Sequence, residues 1–538
     1  MASAGSSNRT GSSSASRRHS SICGGHLAHP IQGLPNELLR EIFSLCQPDF
    51  PIPVQRTEEA PMVLTHVCRS WRIFVQSTPK LWKDIIISFT PRYYIWKGRN
   101  LANTVDRWVK MSGCCQLSIA ISGDPNAEAS NLERIANSLC SASGRWRTID
   151  FETLGRDDLN ATSRAFYDSL LSCNVPQLHS LYMNCYPDTE DFQSLWRRSP
   201  LLYAPKLEEL EIMTLVQPAS MRSAIPLLPM AWSTLTSLII DGRTGRPDSL
   251  FLGECIRTLH HCSKLVSLKL YDRTGINRFP TTIPFEKVEL PFLRDLHLEI
   301  PSVGTLSMLF SILVIPAIQS IRIRHWGSKR NFNEAYGDNL LQLMDRSNLG
   351  GNIGLQSLMV DPIDFSRFQF YRLLEMLPGI EILRLESNYH VYQERFDCDE
   401  VDCFIDSTFL HSLCRRVGAE TGPPEEIGDA AVFLPRLKKL ELHVAGIFSI
   451  QTVFQFIDAK RHMTPLASSG EAMNLRWISL IDARILPYEH ASITYQNMLR
   501  LLKPYEKDRL DVKLSVGEID PPPLGGHGHV CRSIARWW

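Results

Sequence analysis

The chain has 538 residues, with 57 basic and 57 acidic side chains and a hydrophobic content of 44%. This length accommodates several domains or one long array of repeats. The balanced charge leaves no global field that would attract nucleic acid or an anionic membrane. No apolar run approaches the ~20 residues that a membrane-spanning helix requires. We therefore expect a folded chain that has neither nucleic acid nor a membrane as a partner.

The N-terminal residues 1–30 are rich in Ser, Gly and Arg and contain no acidic residue, which predicts a disordered tail. A Ser/Arg-rich start also occurs in transit peptides, but Gly11 and Gly24 oppose an amphipathic helix. No continuous apolar stretch is present there, so we expect no signal peptide. The 14 cysteines follow no regular framework. Reduced thiols, and a location in the cytoplasm and/or nucleus, are the expectation.

Three short helical segments are predicted between residues 31 and 88. Pro35 suits the first turn of the first helix, and apolar residues follow at spacings that give a broad stripe. A Pro-rich, charged loop, 47–61, separates this helix from the second segment around Trp71, and the third contains Trp82. A unit of this size buries too little apolar surface to be robust unless something covers it.

The succession Leu-Pro-x-Glu-Leu-Leu-x-Glu-Ile-Phe, Val-Cys-Arg-x-Trp-Arg and Pro-x-Leu-Trp resembles the F-box motif, most closely that of the F-box-like proteins abundant in mushroom-forming fungi. The resemblance implies that residues 31–88 dock on the Skp adaptor of a cullin–RING ubiquitin ligase. The residues that match the motif and would face the adaptor are Leu34, Pro35, Leu38, Leu39, Ile42 and Phe43. Those that would pack within the helical unit or complete the contact are Val67, Trp71, Leu81 and Trp82. For Trp71 and Trp82, ordinary core packing is the alternative interpretation.

Residues 89–120 are expected to join this unit to the rest of the chain. Leu101, Val105 and Trp108 lie at helical spacing and predict an amphipathic helix. The alternating segment Leu117-Ser-Ile-Ala-Ile121 predicts a strand that caps the following array.

One hydrophobic signature recurs between residues 121 and 516: Leu-x-x-Leu-x-Leu, with Ile, Val or Met allowed. Copies begin at Leu178, Leu207, Leu235, Leu265, Leu293, Ile318, Leu355, Ile380, Leu437 and Leu475, with a weaker copy at Trp146. Alternate side chains of a strand share a face, so we expect the fourth and sixth positions to be buried and the flanking positions to point outward. Prolines two residues before the first Leu are expected to end the preceding helix. One such unit cannot stand alone and must stack on its neighbours.

This pattern resembles the leucine-rich-repeat family, although the asparagine or cysteine of the regular repeat is missing, as at Arg273 and Pro301. The resemblance implies an α/β fold: a short all-helical F-box followed by a solenoid with a curved parallel sheet. The outward strand positions are the expected target-binding face, namely Tyr182, Glu209, Glu211, Lys269, Tyr271, His297, Arg322, Arg324, Arg384, Glu441 and Trp477. Acidic and basic positions alternate there, which suits a protein or peptide partner. The alternative is that many of them are solvated strand residues.

No phosphate-binding loop, nucleophile elbow or zinc-protease motif occurs in the sequence. Cys398 and Cys403 lack a second pair of metal ligands, and His527 and His529 lie in a Gly-rich tail, 517–538, of unassigned role. We therefore expect no enzyme activity, no catalytic residues, no metal and no cofactor. The sequence predicts a substrate-recognition subunit that binds the Skp adaptor and a target protein, or alternatively an interaction scaffold with no role in ubiquitination.

Overall fold

The computed structural model describes residues 34–48, 53–54, 56–89, 99–123, 125, 129–152, 161–185, 198–214, 230–242, 250–272, 286–325, 335–347, 354–386, 405–414, 434–443, 447–461, 475–481, 484–486, 500 and 511–515. Several predictions fall outside the described residues: those for the two tails, for Cys398 and Cys403, and for His527 and His529.

One parallel sheet of 14 strands organises the fold, and its strands lie side by side in chain order. They are β1 (Asp84–Ser88), β2 (Leu117–Ser122), β3 (Trp146–Glu152), β4 (Ser180–Cys185), β5 (Glu209–Thr214), β6 (Ser237–Gly242), β7 (Ser267–Asp272), β9 (Asp295–Glu299), β11 (Ser320–Arg324), β12 (Ser357–Val360), β13 (Ile382–Glu386), β14 (Lys439–His443), β16 (Trp477–Ile481) and β18 (Asp511–Ser515). Two short parallel pairs complete the strands: β8 (Val288–Glu289) with β10 (Leu313–Val314), and β15 (Ile447–Ser449) with β17 (Arg484–Leu486). The predicted α/β class is confirmed.

Helices precede or connect the strands. They are α1 (Asn36–Leu45), α2 (Leu64–Val67), α3 (Arg69–Gln76), α4 (Arg99–Met111), α5 (Ala129–Ser141), α6 (Ala161–Leu171), α7 (Leu250–Leu259), α8 (Val303–Ile312), α9 (Ala335–Ser347), α10 (Arg367–Glu375), α11 (Ser407–Ser412) and α12 (Ile450–Arg461). Neighbours in the chain pack side by side, as in α4 on α5, α5 on α6 and α8 on α9. The apolar core therefore lies between this helical layer and the sheet.

The recurring signature forms the sheet side of that core. In all ten copies, and in the weaker copy at Trp146, the first, fourth and sixth side chains are buried. The prediction from strand alternation is therefore confirmed at the fourth and sixth positions, and the first position is buried as well. A buried Leu or Ile stabilises the fold by about 1.5–3 kcal/mol, whereas fixing one residue's backbone costs about 1–2 kcal/mol. Stability thus depends on stacking many copies rather than on any single one.

The turn before the strand is built in the same way wherever the signature has its proline. In six copies the first Leu or Ile donates its N–H to the carbonyl three residues earlier, as in Leu178 to Val175 at 3.1 Å and Ile380 to Leu377 at 3.3 Å. Proline fits the second position of this β-turn because its fixed φ matches and the turn does not use its missing N–H. The prediction that these prolines end helices is wrong at Pro176, which lies beyond the end of α6, and at Pro291 and Pro316, which follow the strands β8 and β10.

The first strand of the sheet lies earlier in the chain than the sequence predicts. The third N-terminal segment is a 3₁₀ turn, Pro79–Trp82, followed at once by β1, which pairs with β2 from Asp84↔Ser118 onward. The strand at Leu117–Ser122 is therefore second in the sheet rather than its cap.

Several contacts attach the N-terminal helices to this edge of the sheet. The Val54 N–H donates to the Ile86 carbonyl at 2.8 Å, and Gln47 Nε2 donates to the Leu81 carbonyl at 3.0 Å. Trp82 packs against Trp108 with ring centroids 5.0 Å apart, and its Nε1 donates to the Val75 carbonyl at 2.9 Å. These contacts attach the N-terminal helices to the first strand of the sheet and to α4.

Candidate functional site

The N-terminal helices carry most of the exposed apolar side chains in the described part of the chain. Six of the ten large hydrophobic residues that are exposed there belong to α1–α3 and the residue before α2: Leu38, Ile42, Leu45, Val63, Val67 and Ile73. We call this set the N-terminal apolar surface. Exposed apolar side chains concentrated in one segment are typical of an interaction site.

Helical geometry explains how α1 presents two apolar faces. Leu38, Ile42 and Leu45 follow the i, i+4, i+7 spacing of one stripe and are 51%, 36% and 79% exposed. Leu39 and Phe43 lie on the adjacent face and are buried. Phe43 contacts the rings of Trp71 and Phe74 on α3, at centroid distances of 4.7 and 5.6 Å. One face of α1 thus packs within the N-terminal helices, and the adjacent face is exposed to solvent.

The residues predicted to contact an adaptor therefore divide into two groups. Leu38, Ile42 and Val67, together with Pro35, are exposed, and Leu34 and Trp71 are half-buried. Leu39, Phe43, Leu81 and Trp82 are buried within this chain, so the expectation that Leu39 and Phe43 face a partner is wrong. For Leu81 and Trp82, the core-packing interpretation holds.

The second candidate surface is the outward side of the main sheet. One row of side chains runs straight across it, in register from strand to strand: Asp150, Tyr182, Glu211, Ile239, Lys269, His297, Arg322, Met359, Arg384 and Glu441. Glu209 and Trp477 stand in the row on one side, and Tyr271 and Arg324 in the row on the other. All the predicted target-binding residues thus lie on strand positions that alternate with the buried ones. We call this surface the polar sheet face.

The middle of the polar sheet face is cross-linked by polar contacts. The Tyr271 hydroxyl lies 3.2 Å from His297 Nδ1, and His297 Nε2 lies 3.2 Å from Glu299 Oε1. Arg324 Nη1 approaches the same Glu299 oxygen at 3.4 Å. Burial lowers the pKa of His297, and the neighbouring arginines act in the same direction, whereas Glu299 opposes them.

The contacts continue across the next strands. Arg324 reaches over β12 to Glu386, with Nη2 donating to both carboxylate oxygens at 2.9 Å. Arg384 contacts Glu386 at 2.9 Å and Glu441 at 3.4 Å. Lys439 Nζ lies 2.9 Å from Glu441 and 5.0 Å from the centre of the Trp477 ring. We call the whole set, from Tyr271 to Trp477, the ion-pair chain. Its charges are largely neutralised within the molecule.

The other end of the polar sheet face is acidic. Asp150 and Glu152 stand on β3, and Glu209 and Glu211 stand on β5. Glu209 accepts hydrogen bonds from the Ser180 hydroxyl at 2.5 Å and from the Tyr182 hydroxyl at 3.4 Å. Burial, reinforced by Glu152 and Glu211, raises the pKa of Asp150 to about 6. Like charges held together in this way lower the stability of the fold near neutral pH.

Sequence reasoning missed part of each surface. Leu45 continues the α1 stripe by one further turn, and Ile73 stands on α3 outside the motif that resembles the F-box. Asp150 and Glu152 belong to the weaker copy at Trp146, whose alternation places them outward. Helical spacing would have identified Leu45, and strand alternation would have identified the two acids.

A buried histidine–aspartate pair links the residue after β11 to the 3₁₀ turn Pro362–Asp364. His325 Nε2 is 2.6 Å from Asp364 Oδ1, and both side chains are more than nine-tenths buried. Burial lowers the pKa of His325 to about 4 and raises the pKa of Asp364 above its usual range. Both side chains are enclosed, so the pair lies in the interior and not on either candidate surface.

Within the described ranges, no group of three or more His, Cys, Asp or Glu side chains is placed to hold a metal ion. Among the helices of those ranges, none has the length and apolar character that a membrane crossing requires. No protein-family model matches the chain, and no curated protein sequence is significantly similar to it.

Proposed function

We propose that this protein is a substrate-recognition subunit of a Skp–cullin–F-box ubiquitin ligase. In this proposal the N-terminal helices are an F-box that binds the Skp adaptor. The remaining strands and helices are a leucine-rich-repeat solenoid, and its polar sheet face binds the target protein. Catalysis takes place on other subunits of the ligase.

The observation that carries the proposal is the N-terminal apolar surface. Removing apolar area from water is favourable by about 25 cal/mol per Å², so side chains such as Leu38 and Leu45 favour association with a partner. Leu38 and Ile42 of this stripe belong to the motif that resembles the F-box. Leu39 and Phe43 of the same motif are buried on the adjacent face of α1. A helical face with i, i+4, i+7 anchors is a common form of protein recognition.

The architecture of the remaining chain supports the second half of the proposal. Strands that lie side by side in chain order present their outward positions as one extended surface. This surface carries aromatic and charged residues, which are the types enriched where proteins bind each other. A ligase subunit needs such a surface in addition to its adaptor contact.

A binding measurement with recombinant Skp adaptor tests the proposal. We expect Leu38→Asp combined with Ile42→Asp to weaken adaptor binding at least about tenfold, because two charges would enter an apolar contact. Phe368→Asp is the matched control, since Phe368 is 73% exposed on α10 and lies outside the N-terminal helices. Equal affinity of the wild type and the double variant would contradict the proposal.

A second measurement separates target recognition from scaffolding. Proteins captured through the polar sheet face should accumulate in cells when cullin activity is inhibited, and this accumulation should disappear with the Leu38→Asp, Ile42→Asp variant. If the levels of captured proteins do not change, the chain acts as a scaffold rather than as a ligase subunit.

A further inference from the structure

Two cysteine side chains from different helices meet at one backbone carbonyl. Cys140 lies in the last turn of α5, and Cys173 follows the end of α6. The Cys140 thiol lies 3.5 Å from the Ser169 carbonyl oxygen, and the Cys173 thiol lies 3.4 Å from the same oxygen. Neighbouring helices of the array thus bring two sulfur atoms into one small site.

The environments of the two thiols differ. Cys140 is half-buried and reachable from solvent, whereas Cys173 is only 8% exposed. The hydrogen bond from Cys173 lowers the pKa of Cys140, and the same contact together with burial raises the pKa of Cys173. An accessible thiol with a lowered pKa beside a protected thiol is the arrangement in which one cysteine attacks an oxidant and the other resolves the product.

We propose that Cys140 and Cys173 form a reversible disulfide when the protein meets a peroxide. The Cys140 thiolate attacks one peroxide oxygen, the O–O bond breaks, and the leaving hydroxide takes a proton to become water. Cys173 then loses its proton and attacks the Cys140 sulfenic acid; the S–S bond forms, the S–O bond breaks, and a second water leaves. Two thiols and one hydrogen peroxide give one disulfide and two waters, so each sulfur loses one electron and the peroxide gains two.

The shared contact brings the two sulfur atoms near each other. Both lie within 3.5 Å of the Ser169 carbonyl oxygen, and a disulfide of about 2.05 Å requires the side chains to rotate away from that oxygen and towards each other. Oxidation would connect α5 to the residues after α6, and therefore two successive strand–helix units next to the N-terminal helices. We expect it to slow hydrogen exchange in the last turns of both helices.

Other cysteines of the described residues serve as internal references. Cys262 is buried, its thiol donates to the Thr258 carbonyl at 3.4 Å, and burial raises its pKa to about 12. It should be nearly inert to peroxide. Cys46 and Cys114 are exposed and report the reaction of ordinary surface thiols.

The experiment treats the full-length reduced protein with hydrogen peroxide, blocks the remaining thiols with an alkylating reagent, and maps the tryptic peptides by mass spectrometry. Cys140 lies on peptide 135–145 and Cys173 on peptide 165–197, which also contains Cys185, so fragment spectra must assign the bond. We expect the Cys140–Cys173 link to be the main product, to form roughly tenfold faster than Cys46 or Cys114 is oxidised, and to disappear with dithiothreitol.

Two variants complete the test. In Cys173→Ala we expect Cys140 to stop at the sulfenic acid, which dimedone traps, and in Cys140→Ser we expect no label on Cys173. Thermal melts of both variants check the fold, while mapping of the wild type needs no variant at all. If Cys140 and Cys173 are both recovered reduced after Cys46 and Cys114 have reacted, the proposal is wrong.

Discussion

Replacing Asp150 by Asn should stabilise the protein near neutral pH. Asp150 is held among acidic neighbours on the polar sheet face, and its pKa is about 6, against 3.8 for an unperturbed aspartate. The folded state therefore binds the Asp150 proton more tightly than the unfolded state does. The stability that protonated Asp150 contributes below pH 3.8 is lost as the pH rises through about 6. The charged form at pH 7 therefore lowers stability, and the neutral asparagine removes this effect.

The magnitude follows from the two pKa values. A shift of one pKa unit corresponds to about 1.4 kcal/mol. The shift from 3.8 to about 6 would therefore lower the free energy of unfolding by about 3 kcal/mol if the group were fully enclosed. Because Asp150 is only half-buried, water screens part of this repulsion, and about 1–3 kcal/mol is expected. For an ordered array of this size, that stabilisation raises Tm by about 1–4 °C.

The assay compares the thermal unfolding of the wild type and Asp150→Asn at pH 7 and at pH 4. We expect the variant to be more stable at pH 7 and the two proteins to converge at pH 4, where Asp150 is protonated. The matched control is Asp106→Asn, because exposed Asp106 pairs with Arg134 at 3.2 Å and its replacement should not stabilise. A variant no more stable than the wild type at pH 7, or an advantage that persists at pH 4, would refute the reasoning.

Two further predictions concern the ion-pair chain and the buried signature. Glu386→Gln should lower stability by about 1–2 kcal/mol in 50 mM salt and by less in 1 M salt, because Glu386 contacts two arginines that remain charged; a loss independent of salt in thermal melts would argue against ion pairing. Leu440→Ala should lower stability by about 2–5 kcal/mol, since Leu440 is fully buried on β14; a urea denaturation midpoint equal to that of the wild type would show that the site does not contribute to the core.

The sequence alone predicts the repeated part of the fold well, because one signature determines both burial and strand position. Every copy from Leu178 to Leu475 has its fourth and sixth side chains buried, as alternation requires, and its first side chain is buried too. The first strand was not predicted because Asp84-Ile-Ile-Ile-Ser88 has three consecutive isoleucines and does not match the signature. Its place in the sheet follows only from pairing with β2.

The candidate surfaces were predictable to different extents. Spacing alone separates Leu38 and Ile42 from the polar positions of α1, but it cannot distinguish them from Leu39 and Phe43, which are buried in the fold. Phe43 is covered in part by Trp71 and Phe74 of α3. On the polar sheet face, strand alternation gives the outward positions. It does not give their partners: Arg324 and Glu386 are 62 residues apart and meet over an intervening strand. Which charged side chains are available to bind a ligand therefore depends on ion pairs that form only in the folded chain.

The joint between the N-terminal helices and β1 has a consequence for the whole molecule. Only Lys83 separates the Pro79–Trp82 turn from the first strand, and the loop at Val54 hydrogen-bonds to that same strand. The turn, the loop and the first strand are therefore attached to one another directly. If α1 binds an adaptor as proposed, inserting flexible residues after Lys83 should loosen the attachment of that helix to the sheet without changing a residue of either surface.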